Sequence, residues 1–302
     1  IIEHLPHLCT CPVLPDRLYP MSQRHKKVWT CALMVTFILL FSTFSTAQSE
    51  NTKSDKSIPR LEIRHIWEIG PEISYIEYRE PDVMSEKGLM YGIDAAYSYH
   101  NGIMIKVTGR FSYGQVDYQN SATFNNIDDI IFEIRTLGGY DFKLSKSLTI
   151  TPFIGLGYRY LRDDMAGRTS STGSNGYLRE SNYYYNPIGI EAVNVFNNGW
   201  SAGATIEYDY FWKGEQKSNF STAGAGYNDV ENDQNSGYGL RGSIMIKKQT
   251  ARLFFAIEPF VRYWNIDQSE IENRTYYGIK DVAVLEPKNE STEIGVKFTI
   301  GF

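Results

Sequence analysis

Chemistry in this chain has to come from carboxylates and bases, because histidine and cysteine are scarce. Of five histidines only His65 and His100 stand beyond residue 50, and the three cysteines, Cys9, Cys11 and Cys31, all precede it. Hydrolysis by an activated Ser or water needs a positioned base, most often His. Asp163-Asp164 reads as a solvated turn rather than a catalytic pair. Gly237-Tyr-Gly-Leu-Arg-Gly242 satisfies G-x-G-x-x-G, but no helix follows it, so its glycines suit strand bending or close packing rather than a dinucleotide. Asp229-Val-Glu-Asn-Asp-Gln-Asn235 spaces oxygen atoms as calcium loops do, yet lacks the Gly at the sixth position and the distal Glu. No catalytic, cofactor or metal residue is therefore expected, and the protein is not expected to be an enzyme.

Alternation is the stronger pattern. Ile294, Val296, Phe298, Ile300 and Phe302 share one face of a strand, with Glu293, Gly295, Lys297, Thr299 and Gly301 on the other. Leu253, Phe255, Ile257, Pro259, Val261 and Tyr263 repeat the design against Arg252, Phe254, Ala256, Glu258, Phe260 and Arg262. Extending this parity to the other segments places ten acids on the face opposite the apolar one: Glu68, Glu72, Asp94, Glu133, Asp141, Glu191, Glu207, Asp209, Glu258 and Glu293. Nine bases join them: Lys106, Arg110, Arg135, Arg159, Arg241, Lys247, Arg252, Arg262 and Lys297. An ion-selective pore shows an excess of one sign. Near balance suggests instead a narrow interior in which buried charges pair.

The elements that carry these residues are strands of about ten residues, the length that crosses a bilayer at a tilt. Ten are expected, near 63–78, 88–99, 103–115, 129–142, 148–161, 183–195, 199–212, 237–247, 251–265 and 292–302. Eight is the alternative count. A soluble sandwich alternates too, but the connections here are lopsided. Short turns sit at His100-Asn-Gly102, Lys143–Ser147, Asn197-Asn-Gly199 and Lys248-Gln-Thr250, and Asn-Gly is the favoured tight-hairpin signal. Long polar stretches alternate with them: Arg79–Lys87, Val116–Asp128, Arg162–Asn182, Lys213–Ser236 and Ile266–Ser291. Tyr and Trp gather near strand ends, as at Tyr97, Tyr99, Tyr208, Tyr210, Trp212, Tyr263 and Trp264, where rings with a polar tip suit a membrane interface. The fold class is all-β: a transmembrane antiparallel up-and-down barrel with short periplasmic turns and long extracellular loops.

Residues 1–20 read as a spurious or fragmentary extension. Residues 21–47 read as a signal peptide: Met21, the bases Arg24, Lys26 and Lys27, an apolar run, then Ser45-Thr-Ala47. Val28–Phe44 is only 17 residues and carries Thr30, Thr36, Ser42 and Thr43, which is short for a spanning helix. Residues 48–59 form a polar lead, and 60–302 the barrel. Removing 1–47 takes away all three cysteines and lowers 30 bases and 35 acids to 26 and 33, a net of −7 that gives no reason to expect nucleic acid.

The cysteine-free alternating body and the terminal Glu293-Ile-Gly-Val-Lys-Phe-Thr-Ile-Gly-Phe302 resemble the outer-membrane β-barrel family that includes OmpA-type and OmpX-type proteins of Gram-negative bacteria. The resemblance spans Arg60 to Phe302. It implies that Phe298, Ile300 and Phe302 are a signal read by the barrel assembly machinery, and that the protein is a monomer surrounded by outer-membrane lipid and lipopolysaccharide. Family enzymes such as the omptin proteases use a His near the outer rim, whereas His65 and His100 fall on the periplasmic side. The expected role is structural or surface-interacting, through an unidentified extracellular ligand at the loops. A small diffusion channel is the alternative, and an omptin-like or lipid-modifying enzyme ranks third.

Overall fold

Hairpin turns and period-two alternation together leave each chain segment one stable arrangement, a strand paired to its sequence neighbours with polar and apolar side chains on opposite faces. The computed structural model describes residues 64–120 and 122–302. The expected extension, signal peptide, polar lead and first residues of the barrel domain lie outside the described residues. The strands are β1 (Arg64–Glu80), β2 (Met84–Asn101), β3 (Ile103–Gln119), β4 (Thr123–Tyr140), β5 (Phe142–Lys143), β6 (Leu148–Asp164), β7 (Leu178–Val195), β8 (Trp200–Asn219), β9 (Val230–Gln234), β10 (Gly237–Gln249), β11 (Phe254–Ile266), β12 (Glu272–Tyr276), β13 (Ile279–Val284) and β14 (Asn289–Gly301).

Ten of them close a barrel, each antiparallel to the next: β1, β2, β3, β4, β6, β7, β8, β10, β11, β14 and back to β1. Closure runs through Glu72↔Lys297, Ile73↔Val296 and Ile76↔Glu293. Phe302 belongs to it, since the Trp67 and Phe302 backbones bond reciprocally at 2.9 and 3.0 Å. β5 adds two residues against β6, β9 extends the hairpin of β8, and β12 with β13 forms a separate hairpin.

The barrel is inside-out relative to a water-soluble sheet. Ile69, Ile93, Ile105, Leu156, Ile206, Ile244 and Ile294 face outward and exposed, whereas Glu72, Arg110, Glu133, Asp209 and Glu293 are buried inside. Apolar surface of this extent costs roughly 25 cal/mol per Å² in water, and a hydrocarbon surround removes that cost. Rings bound the apolar band, with Trp67 and Trp200 toward the short turns and Tyr75, Tyr113, Tyr208 and Trp212 toward the other end.

Two expectations about the connections need correction. The first two long loops, placed at 79–87 and 116–128, shrink to the three-residue connections 81–83 and 120–122. Strands of 17 or 18 residues are much longer than a bilayer requires, so β1 to β4 continue as a sheet beyond it. Only 165–177, 220–236 and 267–288 remain long. Arg252 does not face the interior. β11 begins at Phe254, and Thr250 donates from its backbone N–H and from Oγ1 to the Leu253 carbonyl at 2.8 and 2.6 Å, closing a turn with Arg252 at its exposed tip.

Candidate functional site: a charged waist and the cup below it

Inward parity at mid-height brings side chains from nine strands into one ring. Arg110 of β3 donates from Nη1 to Glu72 at 2.9 Å and to Glu293 at 2.7 Å. Arg262 of β11 reaches the same two acids, with Nη2 2.9 Å from Glu72 and Nη1 3.3 Å from Glu293. Ser74 donates its hydroxyl to Glu293 at 2.7 Å. Across the lumen Arg241 of β10 holds Glu133 by two bonds, 2.9 and 2.5 Å, and Asp209 at 2.6 Å. Arg135 closes the ring on Glu207 at 2.6 Å, and the Tyr185 hydroxyl donates to Glu133 at 2.6 Å. Arg159 has no ion pair among the described residues and lies over the Trp264 ring at 5.4 Å. Five carboxylates thus share the waist with five guanidiniums.

Tyr185 fits because Gly157 stands beside it: a Cβ there would come 2.2 Å from the tyrosine Cζ. Above the waist the lumen is filled by apolar side chains. Met90, Val116, Ile127 and Ile131 pack in one cluster, and Tyr183, Tyr185, Phe211, Trp264 and Ile266 in another. Salt bridges and close-packed rings therefore interrupt the barrel axis.

Below the waist a cup of about 470 Å³ faces the short turns, roofed by Arg135, Glu207, Arg241 and Arg262 and rimmed by Arg64, His100, Val195 and Gln249. Lys297 pairs with Glu258 at 3.0 Å and Asp94 at 3.3 Å, and Lys106 with Glu68 at 3.6 Å. Glu191 and Lys247 line the cup without an ion pair among the described residues; the Lys247 ammonium lies 4.8 Å from the Phe254 ring centre. At the rim Asp141 meets His100 Nδ1 at 2.7 Å and accepts from the Thr151 hydroxyl at 2.7 Å. Burial pushes the Asp141 carboxyl up, but these bonds more than reverse it and leave it below the ordinary carboxylate range. Nothing in the sequence parity linked His100 to Asp141, because they meet across two hairpins.

A second charged cluster lies at the long-loop end and was not anticipated. Arg179 donates from Nη2 to Glu80 at 2.7 Å and to Glu286 at 2.8 Å, and the Tyr78 hydroxyl donates to Glu286 at 3.1 Å. Ser269 Oγ accepts the Glu286 backbone N–H at 2.8 Å, closing loop 267–288 on itself, while the Arg179 and Tyr78 bonds to Glu286 tie it to the barrel. Burial drives the Glu286 carboxyl up to about 7, Arg179 opposing it and Glu80 adding to it. Asp129 stands directly opposite Asp163 in the β4–β6 register. With Glu86 they line a space of about 20 Å³, the size of one water. Extending alternation past the apolar band would have found Glu80, Glu86 and Asp129.

Among the described residues one group of carboxylates has the spacing to hold a metal ion: Glu215, Glu231 and Asp233, with oxygens within 4.8 Å of one another. It lies on the β8–β9 extension, where Glu215 and Asp233 are directly paired, and Lys213 binds Glu215 at 2.5 Å. Glu231 and Asp233 come from the calcium-like stretch 229–235.

No protein-family model matches the chain, and no curated protein is similar to it in sequence. Among solved structures, the outer membrane protease OmpT of Escherichia coli superposes with a TM-score of 0.49 at 8% identity, over 83% of this chain and 99% of that one. The toluene transporter TodX of Pseudomonas putida gives 0.31 at 10%, over 78% and 89%. A FadL homologue of Pseudomonas aeruginosa gives 0.27 at 6%, over 78% and 89%. The barrel architecture rests instead on this chain's own closed strand order and its outward apolar band.

Proposed function

We propose that the protein is an integral outer-membrane barrel with a structural or surface-interaction role, its interior a permanent plug and its activity carried by the long-loop end. The observation that supports this reading is the waist. Every carboxylate in it is held by an arginine, and opening a path would strand several buried charges at once. What projects from the plugged barrel is the β12–β13 hairpin, with Ile271, Tyr277 and Ile279 at 60%, 70% and 74% exposure. Exposed rings and aliphatics on a braced hairpin suit a binding surface.

In this reading outer-membrane lipid and lipopolysaccharide surround a monomer. The barrel assembly machinery reads Phe298, Ile300 and Phe302, the first two of which face outward on β14. The protein is not an enzyme. The test is removal of 271–285, and separately of 166–176, from cells that display the protein. Loss of binding to a partner cell or surface, with the barrel still folded by heat-modifiable gel mobility, is the expected result. Unchanged binding in both deletions would reject the surface role.

A further inference from the structure

We propose that the cup below the waist binds a small zwitterion, an amino acid or short peptide with free termini, between Glu191 and Lys247. The two side chains flank β8 from opposite sides: Glu191 of β7 pairs with Thr205, and Lys247 of β10 pairs with Ser201. Neither forms a close ion pair among the described residues, although the neighbouring Lys297 has two carboxylates within 3.3 Å. Unpaired charges in a half-enclosed space are costly. A ligand carrying both signs compensates both, whereas a simple anion or cation compensates one and leaves the other.

The stretch of β8 between them is small-sided. Ser201 and Gly203 face the cup, and a Cβ on Gly203 would come within 3.1 Å of Met245 Cε, narrowing the space. Part of the cup lining is apolar, the cluster of Met104, Leu137 and Phe153 on β3, β4 and β6. A polar pair beside a clear strip, with an apolar patch in the same cup, matches a peptide unit with an apolar side chain. The volume of about 470 Å³ lies in the range of small-molecule sites. Access is from the short-turn end, so the ligand reaches the cup without crossing the waist.

The experiment is isothermal titration of the protein purified from membranes with leucyl-phenylalanine, its N-acetyl form, its C-terminal amide and the doubly blocked form. The expected result is that the free dipeptide binds at least about tenfold more tightly than any blocked form, since each charge-assisted contact contributes on the order of tenfold. Lys247→Gln should abolish the preference for the free carboxylate and leave the preference for the free ammonium. Glu191→Gln should do the reverse. Equal affinity for free and blocked peptides, or no detectable binding of the free one, would overturn the proposal on the unsubstituted protein alone. Preferences unchanged in both variants would overturn the assignment of the two residues.

Discussion

The waist and the outer chamber are built from the same residue types and solve opposite problems. At the waist five carboxylates meet five guanidiniums, and each carboxylate lies within ion-pair distance of an arginine. In the outer chamber Glu80, Glu86, Asp129, Asp163 and Glu286 gather around Arg179, with Arg159 the further base acting on Asp129 and Asp163. Such an excess of buried acid is tolerable only with protons on some of the carboxyls. The lesson is that one layer of the plug matches its buried acids with bases, while the layer fastening loop 267–288 carries an excess of acid and responds to pH through Glu286.

The largest effect that could break this comparison is loss of a waist arginine. Arg110→Ala strands Glu72 and Glu293 in a buried ring, and a loss of about 3–5 kcal/mol is expected in urea unfolding. Arg179→Met in the outer chamber is expected to lose less at pH 6 than Arg110→Ala, because its partner Glu286 can take up a proton. Equal losses would erase the distinction.

Packing at the waist offers a second test. Gly157→Ala drives a methyl into the Tyr185 ring, and overpacking of this kind costs about 1–3 kcal/mol. If unfolding curves of that variant overlay those of the parent, Tyr185 is not fixed where its bond to Glu133 requires.

The pH arm is smaller and has a definite sign. A carboxyl raised from 4.5 to about 7 in the folded state takes up its proton more readily there than in the unfolded chain. Its contribution is therefore complete below about 4.5 and is lost as pH rises through about 7. Hydrogen-exchange protection of the Ser269 amide, bonded to the Glu286 carbonyl, should fall between pH 5 and 8 and become level in Glu286→Gln. Protection that rises over that interval would contradict the assignment. The smallest effect is expected at Arg252, where an exposed turn tip predicts that Arg252→Gln stays within about 0.5 kcal/mol of the parent.

Parity made much of this legible in the sequence. Once Ile300 and Val296 are taken as lipid-facing, Lys297 and Glu293 must point inward, and the same rule places Arg110, Glu133 and Arg241 without knowledge of any contact. It failed at Arg252 because parity says nothing about where a strand begins; the Thr250–Leu253 turn decides that. It missed the outer chamber because strands were expected to stop at the bilayer edge, whereas β1 to β4 run on past it. The pairing partners themselves, such as Glu72 with Arg262 across 190 residues, depend on closure and tilt of the barrel, which no local pattern encodes.

The central claim is that the waist closes the barrel, and single-channel recording in a planar bilayer tests it most directly. Protein whose folding is verified by heat-modifiable mobility should leave the bilayer silent, while Arg110→Ala should admit intermittent current. Reproducible discrete steps from the unsubstituted protein would contradict the plug and make the inward charges the lining of a pore.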